Sequence, residues 1–232
     1  MKAVNILSGG AAQGLVDGVA ASFSTQSGYG VEGEFGAVGV MADKLRAGTQ
    51  ADLVVLTRAL VTRLANEEFI TPSSITDVGL VETALAVRAG DPGLTVASES
   101  DLRDVLRTAD AIFVPDTRTS TAGIHVAKVL DQLGIAGEVA SRLKIFPNGA
   151  TAMKQLAASG AKGPIGCTQA TEIIATKGVV LSGSLPRGLG LATMYTAGVT
   201  TRAANPTQAR ALIDLLTGAE QRELRLRVGF AS

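Results

Sequence analysis

The sequence predicts an α/β protein of two lobes with a ligand cleft between them, and three observations lead there. Apolar strand patterns and amphipathic helix patterns alternate from the first residues, the arrangement of an α/β chain with mostly parallel sheets. One unit recurs three times: a short apolar strand, a loop of Ser, Thr or Gly, and at once a helix. The rhythm breaks twice, at extended segments over residues 79–88 and 192–200. Two crossings imply a discontinuous first lobe, residues 1–80 with 196–232, and a second lobe over residues 81–195. Ligands of open α/β sheets collect beyond the carboxyl ends of the strands, so the strand-end loops of both lobes are expected to face the cleft.

Taken in order, a strand over residues 4–7 leads through Ser8-Gly9-Gly10 into a helix over 11–25. In that helix Ala12, Leu15, Val16, Val19, Ala20 and Phe23 share one face, and Gly28 is its stop. A strand over 31–35 leads through Gly36-Ala37-Val38-Gly39 into a second helix ended by Gly48. A buried strand over 51–56 is followed by Thr57-Arg58 and a short helix over 60–68. Ser98 with Asp101 has the spacing of a capping box, in which each residue satisfies a backbone N–H near the other. A strand over 111–114, a helix over 121–133 ended by Gly134, a helix over 150–159 and a short strand over 165–167 complete the second lobe. Asn205-Pro206 opens a last helix, an N-cap residue followed by Pro at the first helical position.

Composition narrows the function. The 232 residues hold 21 Lys and Arg against 21 Asp and Glu, without a basic block, and aromatics make up 3%, so stacking on nucleic acid has no support. A lone Cys167 and a lone His125 exclude a disulfide framework and a Cys/His zinc site, and no metal or other cofactor is called for. No run approaches about 20 consecutive apolar residues, so no membrane span is expected. The chain as written opens on a strand pattern without a signal peptide, which points to the cytoplasm, or to the periplasm if a leader has been removed.

The three strand–loop–helix units carry the chemistry. A helix N-terminus presents unpaired N–H groups and a partial positive charge, so three of them with hydroxyls make a small-anion site built largely from backbone. Ser8 is read as a ligand donor or as a helix cap. Thr119, Ser120 and Thr121 are three hydroxyls in a row, more than a cap uses. Arg58 and Arg118 follow strands and are read as carboxylate clamps or as solvent-facing arginines. His125, one turn into the helix from Thr121, and Glu82, in the first crossing, are the candidate general bases. A carboxyl in an apolar cleft would have a raised pKa suited to that task; the plain alternatives are a partly buried helix histidine and a surface hinge glutamate. Cys167 is read as packing, Gln169 as an amide donor to the ligand, and Tyr195 as a ring over the ligand or in the core.

These residues resemble the molybdate-type solute-binding proteins of bacterial ABC transporters. The resemblance rests on Ser8 before its helix and on Phe35-Gly36-Ala37-Val38-Gly39 before Leu45-Arg46-Ala47-Gly48 and Ala51-Asp52-Leu53-Val54. It continues in residues 119–123 before a long helix, in Gly163-Pro164-Ile165-Gly166, and in Tyr195 before Asn205-Pro206. It implies the type II periplasmic-binding-protein fold, a ligand set of Ser8, Gly9, Gly36, Ala37, Arg58, Arg118, Thr119, Ser120, Thr121, Gln169 and Tyr195, and, if the chain is exported, an ABC permease as partner. The departures matter too. The second loop has no hydroxyl, and two arginines stand at candidate loops, whereas molybdate sites are mostly neutral; guanidinium suits carboxylates through paired hydrogen bonds. The chain is therefore similar to a divergent branch that includes aconitate isomerases, through Ala86-Val87-Arg88-Ala89-Gly90 and Ile165-Gly166-Cys167-Thr168-Gln169. The expectation is a solute-binding protein that closes two lobes around an organic polycarboxylate in preference to molybdate. The alternatives are a cytoplasmic isomerase moving a proton on an unsaturated polycarboxylate such as aconitate, and an anion sensor without catalysis.

Overall fold

The computed structural model describes residues 2–231. The described chain divides into two compact units, one reaching to Val81 and resuming at Thr193, the other covering Glu82–Ala192.

Unit 1 opens with β1 (Ala3–Gly9), a single 3-10 turn at Gly10–Ala12, and α1 (Gln13–Ser27). Gly28 takes a left-handed φ of 74° and closes α1, a conformation glycine adopts without a Cβ penalty. Then follow β2 (Gly30–Gly36), α2 (Val38–Arg46), β3 (Leu53–Thr57), α3 (Arg58–Asn66) and β4 (Thr76–Arg88), whose second half lies in unit 2. Unit 2 continues with α4 (Glu99–Thr108), β5 (Ile112–Pro115), α5 (Thr121–Gln132), α6 (Ala136–Val139) and β6 (Leu143–Phe146). After these come α7 (Gly149–Ala157), β7 (Ile165–Gln169), α8 (Ala170–Ile174) and β8 (Val179–Ser184). β9 (Ala192–Val199) returns to unit 1, followed by α9 (Pro206–Thr217) and α10 (Arg222–Arg227).

In unit 1 the strand order is β2-β1-β3-β9-β4; in unit 2 it is β4-β7-β5-β6, with β8 also paired to β4. The sheets are mixed rather than mostly parallel as expected. β1 is parallel to β2 and β3, and β5 to β6 and β7. The antiparallel pairs β3–β9, β4–β7 and β4–β8 all involve β4 or β9, the two segments read from sequence as crossings.

The sheet of unit 1 buries Val4, Ile6, Leu53–Leu56 and Tyr195 against Leu15, Val19 and Phe23 of α1, Met41 of α2, and Leu212 and Ile213 of α9. One buried carboxylate ties these layers. Asp52, 1% exposed, accepts from the backbone N–H groups of Asn5 (2.8 Å) and Asn205 (2.7 Å) and from Asn205 Nδ2 (3.3 Å). The last helix starts as the sequence predicts, with Asn205 as its N-cap residue and Pro206 first in the helix. The Asn205 side chain makes no cap bond, because its amide is turned to Asp52 and to the carbonyl of Ala3 (3.2 Å). In unit 2 the sheet is covered on both faces. Leu85, Ile112, Val114 and Cys167 pack against α4 and α5, and Ala84, Ala86 and Phe113 against α7 and α8. The expected capping box is present: Ser98 Oγ accepts from Asp101 N–H, and Asp101 accepts from Ser98 N–H.

Candidate functional site

In unit 1 the parallel pairing of β1 with β2 sets Gly9 directly beside Gly36, so the loops Ser8-Gly9-Gly10 and Gly36-Ala37-Val38 leave the sheet side by side. The helical segments that follow begin without side-chain caps: Gly9 and Ala37 are the N-cap residues, and neither first turn holds an acidic residue. Ser8 is fully buried, and its hydroxyl donates to the carbonyl of Gly9 (2.9 Å), so it does not cap the next helix. A Cβ on Gly9 would come within 2.8 Å of Val38 and 2.9 Å of Tyr195, so the loop is packed too closely for a side chain there. The ring of Tyr195, 2% exposed, lies in the unit 1 core beside Gly9. Arg58 begins α3 just past β3, but its guanidinium is paired with Asp77, which also accepts from Thr196 Oγ1 (2.8 Å). Acting on a ligand, Arg58 would have to share or leave that partner.

In unit 2 the loop after β5 is wound around Asp116. One carboxylate oxygen accepts from the N–H groups of Arg118 (2.9 Å) and Thr119 (2.8 Å) and from the Thr119 hydroxyl (2.8 Å). These donors, that of Arg118 foremost, with the Arg118 charge hold the Asp116 carboxyl below its usual range. The turn delivers Ser120, 8% exposed, as the N-cap of α5, again without a side-chain cap and with no acidic residue in the first turn. Thr121 is the first helical residue. Arg118 is exposed, and among the described residues it forms no ion pair. Gly123 lets α5 sit on this loop: a Cβ there would meet the carbonyl oxygens of Asp116 at 2.2 Å and Pro115 at 2.5 Å.

Gln169 ends β7, at the same carboxyl end of the sheet as this loop. The residue is 2% exposed, and among the described residues neither its Oε1 nor its Nε2 meets a hydrogen-bond partner. Thr83, its cross-strand partner on β4, also carries an unpartnered buried Oγ1, as does Thr171 at the start of α8.

The two candidate bases fare differently. His125 Nε2 lies 2.7 Å from the carbonyl oxygen of Leu189. A carbonyl only accepts, so Nε2 carries a proton, and in the neutral ring Nδ1 is the nitrogen left to accept. Glu82 lies on the exposed side of β4, the placement of the surface-glutamate alternative, and its carboxylate accepts from the Ser184 hydroxyl. The cause is strand alternation, which turns its neighbours Val81 and Thr83 inward and Glu82 outward. Cys167 is buried in the α4/α5 core, and burial pushes its thiol up to about 12, which leaves it protonated and inert.

Sequence reasoning missed Glu172. Its carboxylate is buried (7% exposed) and accepts from Thr168 Oγ1 (2.5 Å) and from the backbone N–H groups of Gln169, Gly149 and Ala150. Burial pushes its pKa up, and these donors pull it back only in part. Asn148 caps the next N–H, that of Thr151 (2.8 Å), so the start of α7 is satisfied from within the protein. The legible signal was Glu172 at the third position of α8, where it reaches back to the N-cap N–H as in a capping box.

A cavity of about 260 Å³ in unit 2, lined by Val87, Leu94, Val105, Pro164 and Ile165, opens at the amino ends of β5 and β7, away from these loops. Its one charged neighbour, Asp91, is paired with Arg88. Among the described residues no group of three or more His, Cys, Asp or Glu could hold a metal ion, and no helix is long and apolar enough to cross a membrane.

The chain matches the family described as bacterial extracellular solute-binding protein over residues 4–231. It is 22% identical over 225 residues to an aconitate isomerase of a Pseudomonas species, covering 94% of this chain and 83% of that protein. Its fold is similar to that of the periplasmic molybdate-binding protein of Azotobacter vinelandii, with a TM-score of 0.83 at 18% identity over 99% of both chains. It is also similar to the sulfate-binding protein SubI of Mycobacterium tuberculosis, with a TM-score of 0.77 at 19% identity over 99% of this chain and 86% of that one. With residues 4–231 inside the family match, the chain belongs to the bacterial extracellular solute-binding protein family.

Proposed function

We propose that this member of the family binds a small organic polycarboxylate in preference to molybdate and, once exported, hands it to an ABC permease. The observation that carries the carboxylate is Arg118. It is an exposed guanidinium outside any ion pair of the described residues, on the loop that brings Thr119, Ser120 and Thr121 to the uncapped start of α5. A planar guanidinium matches a carboxylate through two parallel hydrogen bonds, and an uncapped helix start adds N–H donors. In this reading the loops Ser8-Gly9 and Gly36-Ala37, side by side within unit 1, supply further backbone donors, with Gln169 supplying an amide and Tyr195 packed behind Gly9. Closure of two lobes around the solute belongs to the same reading.

The test is a thermal-shift panel of molybdate, sulfate, citrate, cis- and trans-aconitate and simple di-acids, followed by calorimetry on those that raise the melting temperature. A ligand that binds only the folded state must raise it. Stabilisation by di- or tricarboxylates and not by the inorganic anions supports the reading; the reverse order removes it. A fall in the radius of gyration on ligand addition, measured by X-ray scattering, tests closure.

The match to an aconitate isomerase favours a second reading, catalysis on the same ligand class. A base would take a proton from carbon beside a carboxylate, and the proton would return to the carbon skeleton to complete the isomerisation, while cationic and N–H donors hold the developing charge. His125 is the base to test, with Nδ1 as its acceptor; Glu82 on the exposed face is the control. Trans-aconitate in heavy water should yield deuterated cis isomer, and His125→Ala should slow that by about 100-fold or more while ligand still binds. Tight binding without solvent deuterium in any acid tested leaves the binding protein alone.

A further inference from the structure

Gln169 narrows the ligand further. Both ends of its amide are buried and unpartnered, so the conclusion does not depend on which end is oxygen and which nitrogen. Thr83 stands directly opposite it in the antiparallel β4–β7 pair, and residues so paired project from the same face of the sheet. One face thus holds an amide donor, an amide acceptor and a hydroxyl, none of them partnered among the described residues. Buried polar groups left unmatched in this way are rare and costly, and a ligand that completes them recovers that cost on binding.

The groups also say what that ligand must carry. A fully deprotonated oxyanion offers lone pairs only; it would satisfy Nε2 and leave Oε1 facing other oxygens. A carboxylate without a hydroxyl has the same defect. The α7 N-terminus does not change this balance, because the carboxylate of Glu172 already accepts from Gly149 and Ala150 there. What remains in this unit calls for a partner that both donates and accepts.

Resting on the carboxylate reading above, we propose that the ligand is a hydroxycarboxylate. Its alcohol O–H donates to Gln169 Oε1, a neighbouring carboxylate oxygen accepts from Nε2, and Thr83 completes the alcohol's hydrogen bonding. A site built to pair a hydroxyl discriminates strongly against the analogue that lacks it, because the protein's own buried group is then left alone.

The experiment uses matched pairs that differ by one hydroxyl: malate against succinate, and citrate against tricarballylate. Each is titrated calorimetrically into the full chain at neutral pH. The hydroxylated member is expected to bind about ten- to a hundred-fold more tightly in each pair. Gln169→Met, similar in length and without the amide, is expected to bring the members of each pair level. If the wild-type protein binds both members equally, the proposal is overturned while the carboxylate reading stands; a bound water serving Gln169 would give that result. If none of the four acids binds, the proposal falls together with the reading beneath it. The wild-type comparison decides by itself should Gln169→Met fail to fold.

Discussion

Glu172 offers the sharpest test of how unit 2 is held together. Four donors converge on its buried carboxylate: the Thr168 hydroxyl and the N–H groups of Gln169, Gly149 and Ala150. Glu172→Ala strands all four. At the low end of the usual cost for an unsatisfied buried donor, the loss is roughly 4 kcal/mol. For a chain of this size that is a fall in melting temperature of roughly 8–16 °C. Glu172→Gln keeps the shape and one acceptor oxygen, and should cost about 1–2 kcal/mol at neutral pH. Burial raises the Glu172 pKa above 4.5 in the folded protein, so the folded state holds a proton that the unfolded chain has released. That contribution is full below the unfolded value and is lost as pH rises through the raised folded value. Wild type therefore loses stability relative to Glu172→Gln as pH rises, and the gap between them narrows. Urea unfolding of the three proteins, followed by circular dichroism at several pH values, reads all of this. An alanine variant within 1 kcal/mol of wild type at neutral pH, or a gap to the glutamine variant that does not change with pH, would refute the reasoning.

Three further outcomes are expected. Arg118→Ala should weaken a carboxylate ligand by about ten- to a hundred-fold by calorimetry and any sulfate or molybdate binding by less; equal loss for every anion would remove its preference for carboxylate, and no loss at all would place Arg118 elsewhere. Asp52→Ala removes the acceptor shared by the Asn5 and Asn205 N–H groups and should destabilise unit 1 by about 2–4 kcal/mol in the same urea assay. A loss below 1 kcal/mol would show that water or a neighbouring group replaces the carboxylate. Cys167, buried with its thiol pushed up to about 12, should resist alkylation in the folded protein at pH 8 and react once urea unfolds it; prompt modification of the native protein, followed by mass spectrometry, would contradict that burial.

What the sequence revealed was local, and what it concealed was long-range. Ser98 and Asp101 form their capping box because both partners lie within one turn, and Gly28, Gly48 and Gly134 all take the positive φ expected of helix stops. The loop after β5 was legible as a run of hydroxyls, but its framework, Asp116, was not singled out, because an aspartate there looks the same whether or not it folds a turn around itself. β8 passed unread: its residues 179–184 are half-exposed and acquire strand form by pairing with β4 about 95 positions earlier. β6, with Lys144 and Ile145 facing out, is likewise set by its neighbour β5. Asn205 occupies the N-cap position that its local signature announced, but its amide is engaged by Asp52, across more than 150 positions. Glu172 looks like any glutamate near a helix start; only the packing of α7 against α8 buries it. In the candidate site the backbone loops could be read because they follow strands, whereas the unpaired state of Gln169 and the pairing of Arg58 with Asp77 exist only in three dimensions.

The interrupted course of unit 1 bears on how the protein is made. β9 lies between β3 and β4, yet it is the last strand of the chain. While the ribosome adds the 111 residues of Glu82–Ala192, which takes roughly 6–22 s at ordinary rates, the nascent first segment has an open slot beside β3. Unit 2 is contiguous and can complete itself in that interval. The edge of β3, whose Leu53, Val54, Val55 and Leu56 are all fully buried in the finished protein, must wait. An uncovered apolar strand edge invites pairing with other chains, so this one is the natural place for a holding chaperone to act during synthesis. Release of β9 from the ribosome is the event that ends the exposure.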